Sequence, residues 1–219
     1  HAAGRTDAGV HASGMVAHFD THAIRGHKSW LLGSNTWLPK DIALRWIHPV
    51  SEDFHARFKA VARRYRYIIF NSGQRSSQLA GKVTWHYHPL NFDRMKIAAS
   101  YLVGQHNFNS FRAVGCQSHN PNRHVHFLNL TKRGSLIILD IQADGFLHHM
   151  VRNIAGVLLA IGEGKAEPEW VQELLKVQDR KLGGVTASGS GLYFADALYP
   201  PEFELPKEPL GPIWLVGLN

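Results

Sequence analysis

Residues 62–70 read ARRYRYIIF, and this stretch decides how the chain is expected to fold. Basic and aromatic residues alternate in its first half, and its second half is continuously apolar. This pattern is typical of a strand whose apolar end enters a core and whose basic end is exposed. On such a strand Tyr65 and Tyr67 share one face, whereas Arg64 and Arg66 share the other.

Helical and strand patterns are interspersed outward from this segment. Residues 71–81 are typical of a loop, and residues 123–130 and 136–141 are spaced as a hairpin around Lys132-Arg133-Gly134. Apolar spacing predicts helices and a final strand as follows: helices at 92–103, 150–161 and 170–177, and a strand at 191–197. This mixture predicts an α+β sandwich.

The remaining segments are less regular. Residues 15–19 and 42–47 are predicted as strands, and residues 24–32 as a helix that ends at Gly33-Ser34-Asn35. The tail at 200–212 holds five of the ten prolines, so we expect an extended segment on the surface. Because the chain begins at His1, inside a dense motif, we expect it to be a fragment of a longer polypeptide.

Composition limits the class of protein. The net charge of +7 favours a polyanionic partner, although many basic proteins bind no specific anion. A single cysteine, Cys116, excludes an intrachain disulfide and a cysteine-based zinc cluster and fits a reducing cytoplasm. No apolar run is long enough to span a bilayer, so no membrane partner is expected.

The segment Gly4-Arg5-Thr6-Asp7-Ala8-Gly9 brackets one carboxylate with two glycines. Glycines allow a tight turn and a close approach of substrate, which suits a nucleophile, although a D-x-G segment alone is also typical of an ordinary Asx turn. Arg5 lies two residues away, and a nearby guanidinium would keep the carboxylate ionised and nucleophilic.

Two further segments contain residues suited to RNA chemistry. Arg63, Arg64 and Arg66 with the two tyrosines form a mixture that binds phosphates and stacks on bases, although an edge strand with solvated arginines fits equally. Arg152 lies on a mostly buried helix and is therefore expected to pair with a carboxylate from elsewhere in the chain. A purely structural ion pair would meet this requirement as well.

Other chemistries lack support. The pair His148-His149 suggests a metal site, but adjacent side chains are expected to point in different directions, so no metal is expected. Walker, serine-hydrolase and strand-linked dinucleotide motifs are missing from the sequence, and no nucleotide cofactor is expected.

The sequence resembles the tRNA pseudouridine synthase A (TruA) family along its whole length. The blocks that carry the resemblance keep the family order: residues 4–11, 53–58, 63–67, 108–111, 148–153 and 191–193. The resemblance implies cofactor-free isomerisation of uridine to pseudouridine in the anticodon stem-loop of tRNA, at tRNA positions 38, 39 and 40. It also implies a cytoplasmic homodimer in which one tRNA touches both subunits.

The resemblance assigns roles to individual residues. Asp7 matches the nucleophile, which attacks C1′ of the ribose or, in the older proposal, C6 of the base. Arg152 matches the residue that pairs with this aspartate, and Tyr65 the residue that stacks on uracil and is placed to help remove the C5 proton. Arg5 matches a residue that supports base flipping, and Leu192 a wall of the uracil pocket.

The family fold is implied to consist of two ferredoxin-like halves. They form a continuous mixed, mainly antiparallel sheet with helices on one side and a central cleft. Residues 1–54 would be the remainder of a truncated N-terminal half, because the family normally begins with strands that have no counterpart here. Residues 55–219 would form the C-terminal half with RNA-binding and active-site residues.

Two other functions are compatible with parts of the pattern. A non-catalytic RNA-binding or RNA-folding module would need only the charge and the arginine-tyrosine strand. An aspartate-dependent glycoside hydrolase would ordinarily need a second carboxylate, and none stands out in the sequence.

Overall fold

A computed structural model describes residues 1–215 and shows an α+β fold in this range. Its strands are β1 (His11–Ala12), β2 (Ala62–Asn71), β3 (Thr84–His86), β4 (Gly104–Asn107), β5 (Asn122–Arg133), β6 (Leu136–Ala143) and β7 (Leu192–Leu198). Its α-helices are α1 (His27–Trp37), α2 (Phe92–Ser100), α3 (Met150–Gly162) and α4 (Trp170–Val177).

The strands form one mixed sheet in the order β1-β7-β2-β6-β5-β4, and β3 pairs with the end of β2 beyond β7. Strand β2 is antiparallel to both β6 and β7, and β5 is antiparallel to β4 and β6. Within the described chain, the parallel pairings are those of two short strands: β1 pairs with β7, and β3 pairs with β2. The predicted α+β class and the mainly antiparallel pairing are therefore confirmed.

The helices α2, α3 and α4 pack on one face of the sheet. The strands contribute alternate residues to this core because side chains point to opposite faces along a strand; the fully buried members include Tyr67, Ile137, Leu139 and Ile141. Each buried aliphatic side chain of this kind stabilises the fold by about 1.5–3 kcal/mol. This core holds α3 in a fixed position against β2.

The opposite face of the sheet is covered by the C-terminal tail. Ile68, Ile138 and Tyr193 form a smaller cluster with Leu215, and Trp214 packs against it. A third cluster joins the N-terminal segment to β7 through Phe54, Ala56 and Phe194. The tail is mostly without regular structure, as predicted, apart from short 3-10 turns at Pro201–Phe203 and Ile213–Leu215.

The strongest sequence patterns gave correct elements. The hairpin of β5 and β6 turns at Gly134-Ser135, where Gly134 has a φ of 55°. Helix α2 begins after Asn91, whose side chain accepts a hydrogen bond from the backbone of Arg94. It ends at Ser100, three residues earlier than predicted, and Gly104 then begins β4.

The predicted strand at 42–47 is wrong. The side chain of Asn35 accepts a hydrogen bond from the Leu44 backbone at 2.7 Å and donates one to its carbonyl at 2.9 Å. A side chain therefore satisfies the backbone groups that a neighbouring strand would otherwise bind. Because Asn35 lies inside α1, the predicted helix end at residues 33–35 is also wrong.

The predicted strand at 15–19 is reduced to one bridge between Ala2 and Ala17. This segment lies beside the N-terminal residues, and Ala3 donates to the Val16 carbonyl at 2.8 Å. In residues 1–215, no helix combines the length and the apolar character that a bilayer crossing requires.

Candidate active site

Asp7 begins a tight turn whose backbone geometry requires a glycine. The amide of Val10 donates to the Asp7 carbonyl at 3.0 Å, and Gly9 has a φ of 76°. A positive φ at the third position of a turn favours glycine, because other residues meet a steric penalty there. The second glycine of the motif thus has a clear structural function.

The turn is fixed against β7 and the segment before it. Strand β1 pairs in parallel with β7, and a Cβ on Gly14 would lie 2.1 Å from the Ala195 carbonyl oxygen. A Cβ on Gly189 would lie 3.1 Å from the Ala8 carbonyl oxygen. These close approaches hold the Asp7 backbone in one place while its side chain stays 31% exposed.

Arg152 reaches Asp7 from the first turn of α3. Its Nη1 donates to Asp7 Oδ2 at 3.1 Å, and its Nε donates to the Ala187 carbonyl at 2.9 Å. The Arg152 side chain is only 17% exposed. The guanidinium therefore offsets the negative charge of Asp7 and is itself held in position by the Ala187 carbonyl.

Both adjacent histidines also point at Asp7. The Nε2 of His148 lies 3.4 Å from Asp7 Oδ1, and the Nε2 of His149 lies 3.1 Å from Oδ2. Their ring centroids are only 4.0 Å apart. The expectation that these side chains point in different directions is wrong.

The backbone at His149 explains this arrangement. His149 has a φ of 60° and a left-handed conformation at the start of α3, which is rare for a residue other than glycine. Burial holds the pKa of His149 below its usual value, although the charge of Asp7 opposes this effect. His149 is therefore largely neutral at pH 7.

Tyr65 lies on β2 between two aromatic rings. It makes edge-on contacts with Phe146 and Phe194 at centroid distances of 4.9 and 5.1 Å. Burial raises the pKa of Tyr65 to about 12; Arg63 opposes this shift and the negative charge of Asp7 adds to it. Tyr65 therefore carries a neutral phenol and lies within electrostatic range of the carboxylate.

Leu192 and Arg5 differ in their surroundings. Leu192 is buried at the start of β7 and pairs with Tyr67 on β2, so it belongs to the helix-side core. Arg5 is exposed on the same loop as Asp7. The structure thus places an apolar residue beside the segment at 188–191 and an exposed arginine at the protein surface.

The arginines of β2 bind groups other than Asp7. Arg63 donates to the carbonyls of Arg57, Ala60 and Asp144, and burial lowers its pKa. Its guanidinium therefore connects the loop before β2 and the loop after β6 to the start of β2.

Arg64 and Arg66 lie on the opposite face of the sheet from Tyr65, as the alternation predicts. Arg64 makes two hydrogen bonds of 2.7 Å to Asp140, and this carboxylate raises the pKa of Arg64. Arg66 donates to Asp140 and to the carbonyls of Leu210 and Gly211 in the tail. The structure does not bring these two arginines to Asp7.

The sequence did not predict that the histidine pair contacts Asp7, that the Ala187 carbonyl binds Arg152, or that Tyr67 lies nearby. The Tyr67 hydroxyl bonds to Thr84 at 2.6 Å and donates to the Ser188 carbonyl at 2.8 Å. The histidine pair could have been expected near Asp7, because it lies within one helical turn before Arg152 in the sequence. No local pattern indicated the carbonyls, because any residue type supplies one.

Comparison with known proteins identifies close relatives. The profile of a family described as tRNA pseudouridine synthase matches residues 98–200. A tRNA pseudouridine synthase A of Acinetobacter baylyi is 57% identical over 215 residues, which cover 98% of this chain and 79% of the relative. Proteins with the same name from Acinetobacter baumannii and Alcanivorax borkumensis are 54% and 52% identical, covering 98% and 97% of this chain and 81% and 80% of the relatives.

Proposed function

Because this chain belongs to the tRNA pseudouridine synthase family, we propose that it isomerises uridine to pseudouridine in the anticodon stem-loop of tRNA, at tRNA positions 38, 39 and 40. The names of its relatives support pseudouridine formation in tRNA. The position in the anticodon stem-loop rests on the family resemblance.

The observation that carries the mechanism is the contact between Asp7 and Arg152. These residues are 145 positions apart in sequence, and the Asp7 carboxylate is held by a tight turn and is still partly exposed. A held carboxylate next to a guanidinium suits a nucleophile, because its charge is balanced without being removed. Asp7 is therefore the proposed nucleophile.

In the proposed reaction, a carboxylate oxygen of Asp7 attacks C1′ of the ribose and the C1′–N1 bond breaks. The electron pair of that bond leaves with uracil, which rotates in its pocket. C5 of uracil then bonds to C1′ and displaces Asp7, while the C5 proton is lost and N1 gains one. The atoms and electrons balance without a cofactor. Attack at C6 of the base is the alternative first step.

Tyr65 is proposed to stack on the detached uracil. Because burial raises the pKa of Tyr65 to about 12, we expect a neutral phenol near pH 7. A neutral phenol does not suit the role of the base that removes the C5 proton. Its aromatic surroundings favour the stacking role instead.

The remaining roles follow from position. Leu192 is proposed as an apolar wall of the uracil pocket, because it is buried at the start of β7 next to the segment that contacts the Asp7 turn. Arg5 is exposed and is proposed to support extrusion of the nucleotide, which costs a few kcal/mol. Arg63, Arg64 and Arg66 fit a structural role better, because their donors bind carbonyls and Asp140.

Larger-scale features of the family are proposals as well. They comprise two ferredoxin-like halves with a central cleft, a boundary after residue 54, a homodimer and a cytoplasmic location. Residues 216–219 of the second predicted domain lie outside the described residues.

The proposed function is tested with Asp7→Asn, which keeps the shape of the side chain and removes its charge. We expect tRNA affinity to stay within a few-fold while pseudouridine formation falls by about 10³-fold or more. Release of tritium from tRNA labelled at C5 of uridine measures the reaction, because the C5 proton leaves. The exposed Asp20→Asn is the matched control and should retain activity.

Other outcomes distinguish the rival functions. A wild-type chain that binds tRNA and forms no pseudouridine would be a binding module. Release of free uracil during turnover would indicate a glycoside hydrolase.

A further inference from the structure

We propose that Asp7, His148 and His149 form a site for a divalent transition metal such as Zn²⁺, and that the bound metal inhibits the enzyme. The inhibitory part rests on the proposed function, because it concerns the same carboxylate. The binding part rests on the geometry of the three side chains alone.

The three side chains have the separation that a small metal ion needs. Each offers one ligand atom, and these atoms lie within 4.8 Å of one another. The two histidine Nε2 atoms lie 3.4 and 3.1 Å from the carboxylate oxygens. Tetrahedral zinc has bonds of about 2.0–2.1 Å to nitrogen and oxygen, which places its ligand atoms about 3.3 Å apart. Only small side-chain movements are required.

The chemical class of the ligands selects the metal. Two imidazoles and one carboxylate suit zinc and its first-row neighbours, whereas magnesium and calcium prefer sets of oxygen atoms. Three protein ligands also leave a fourth position for water, as in zinc sites of the open type. We therefore expect Zn²⁺ and Co²⁺ to bind and Mg²⁺ not to compete.

The backbone holds the ligands before any metal arrives. His149 is fixed by its left-handed conformation at the start of α3, and the His148 amide donates to the Cys116 sulfur at 3.3 Å. Asp7 is fixed by the Gly9 turn. Because these segments are ordered by the fold, binding loses little conformational entropy.

Arg152 limits the affinity and connects the site to the reaction. Its Nη1 lies 3.1 Å from Asp7 Oδ2, so its positive charge opposes a cation at the same carboxylate. Binding is therefore reversible and weaker than at a dedicated zinc site. A metal on the carboxylate also withdraws the electron pair needed for attack on the nucleotide, which makes the metal-bound form inactive.

The binding test titrates metal-depleted protein with Co²⁺, whose visible absorption intensifies in tetrahedral sites. We expect saturation at an equimolar amount, displacement by Zn²⁺ and no effect of Mg²⁺. The double variant His148→Gln/His149→Gln should lose the spectrum, and His126→Gln, which changes an exposed histidine on β5, should keep it. Circular dichroism checks that each variant is folded.

A second measurement uses the unmodified chain, so it does not depend on how variants fold. Zn²⁺ should shift the imidazole nuclear magnetic resonance signals of His148 and His149 and leave those of His126 in place. Unshifted His148 and His149 signals, or a cobalt spectrum that survives in a folded double variant, would overturn the proposed site.

Activity separates this inference from the proposed function. Pseudouridine formation should fall in proportion to metal occupancy and return after addition of a chelator. Full activity at saturating Zn²⁺ would refute the inhibition. Metal binding by a chain that is inactive even with a chelator present would instead refute the proposed function and leave the metal site standing.

Discussion

At the scale of single residues, Arg152 links the nucleophile to the rest of the fold. One edge of its guanidinium binds the Ala187 carbonyl, and another binds Asp7. A lysine ammonium carries the same charge but cannot present two donors in a fixed fork. The position of the charge, rather than its presence, is what we expect the reaction to depend on.

Arg152→Lys should lower kcat by about 10²-fold and leave the KM for tRNA nearly unchanged, because the fork acts on Asp7 and not on the bulk of the RNA. Steady-state tritium release checks this result. Arg133→Lys, at the exposed end of β5, is the matched control. A variant at position 152 with full kcat would show that the charge alone is sufficient.

At the scale of elements, α3 and the segment at 183–187 are packed too closely for side chains between them. A Cβ on Gly156 would lie 1.8 Å from the Val185 carbonyl oxygen and 3.6 Å from the Ala187 nitrogen. The backbone of Ala187 in turn donates to the Arg152 carbonyl at 3.2 Å. The contact between helix and segment therefore positions the carbonyl that holds Arg152.

Gly156→Ala should destabilise the protein by about 3 kcal/mol or more, because one of two backbones must move. Urea denaturation measures this change in the free energy of unfolding. Gly33→Ala is the comparison, since Gly33 is also helical and a Cβ there meets no atom within 4 Å. That variant should gain about 0.5–1 kcal/mol from helix propensity. Equal effects at both positions would contradict the close packing.

At the scale of the whole molecule, burial is unevenly distributed. None of residues 17–53 is buried, and α1 exposes Leu32 and Trp37 at 56% and 90%. In contrast, β6 is buried over most of its length between β2 and β5. Regions with few buried apolar contacts open at a lower free-energy cost than the core.

Amide hydrogen exchange should therefore be fast in α1 and slowest in β2, β6 and α3. Mass spectrometry of peptic fragments from a dilute sample tests this order. Slow exchange in α1 in a dilute sample would contradict the expectation that a helix with few buried contacts opens at a low free-energy cost. Protection of α1 that grows with protein concentration would instead identify it as a self-association surface and support the proposed homodimer.

The sequence alone predicted the elements whose patterns are strong and local. Strand β2, the hairpin of β5 and β6, and helices α3 and α4 lie where their apolar spacing indicates, because each pattern reflects the side of one element that must be buried. The predicted strand at 42–47 is wrong because the Asn35 side chain binds the backbone N–H and carbonyl of Leu44, a contact that apolar spacing does not encode.

The sequence by itself determined the α+β class and the division of β2 into a tyrosine face and an arginine face. It also indicated which residues are candidates for catalysis and binding. Only the tertiary structure decided which of them meet. Asp7 contacts Arg152 across 145 residues, both histidines reach it through a left-handed backbone at His149, and Arg64 and Arg66 bind Asp140 on the other face. Local patterns report which face of an element is buried, whereas these contacts depend on how separate elements pack.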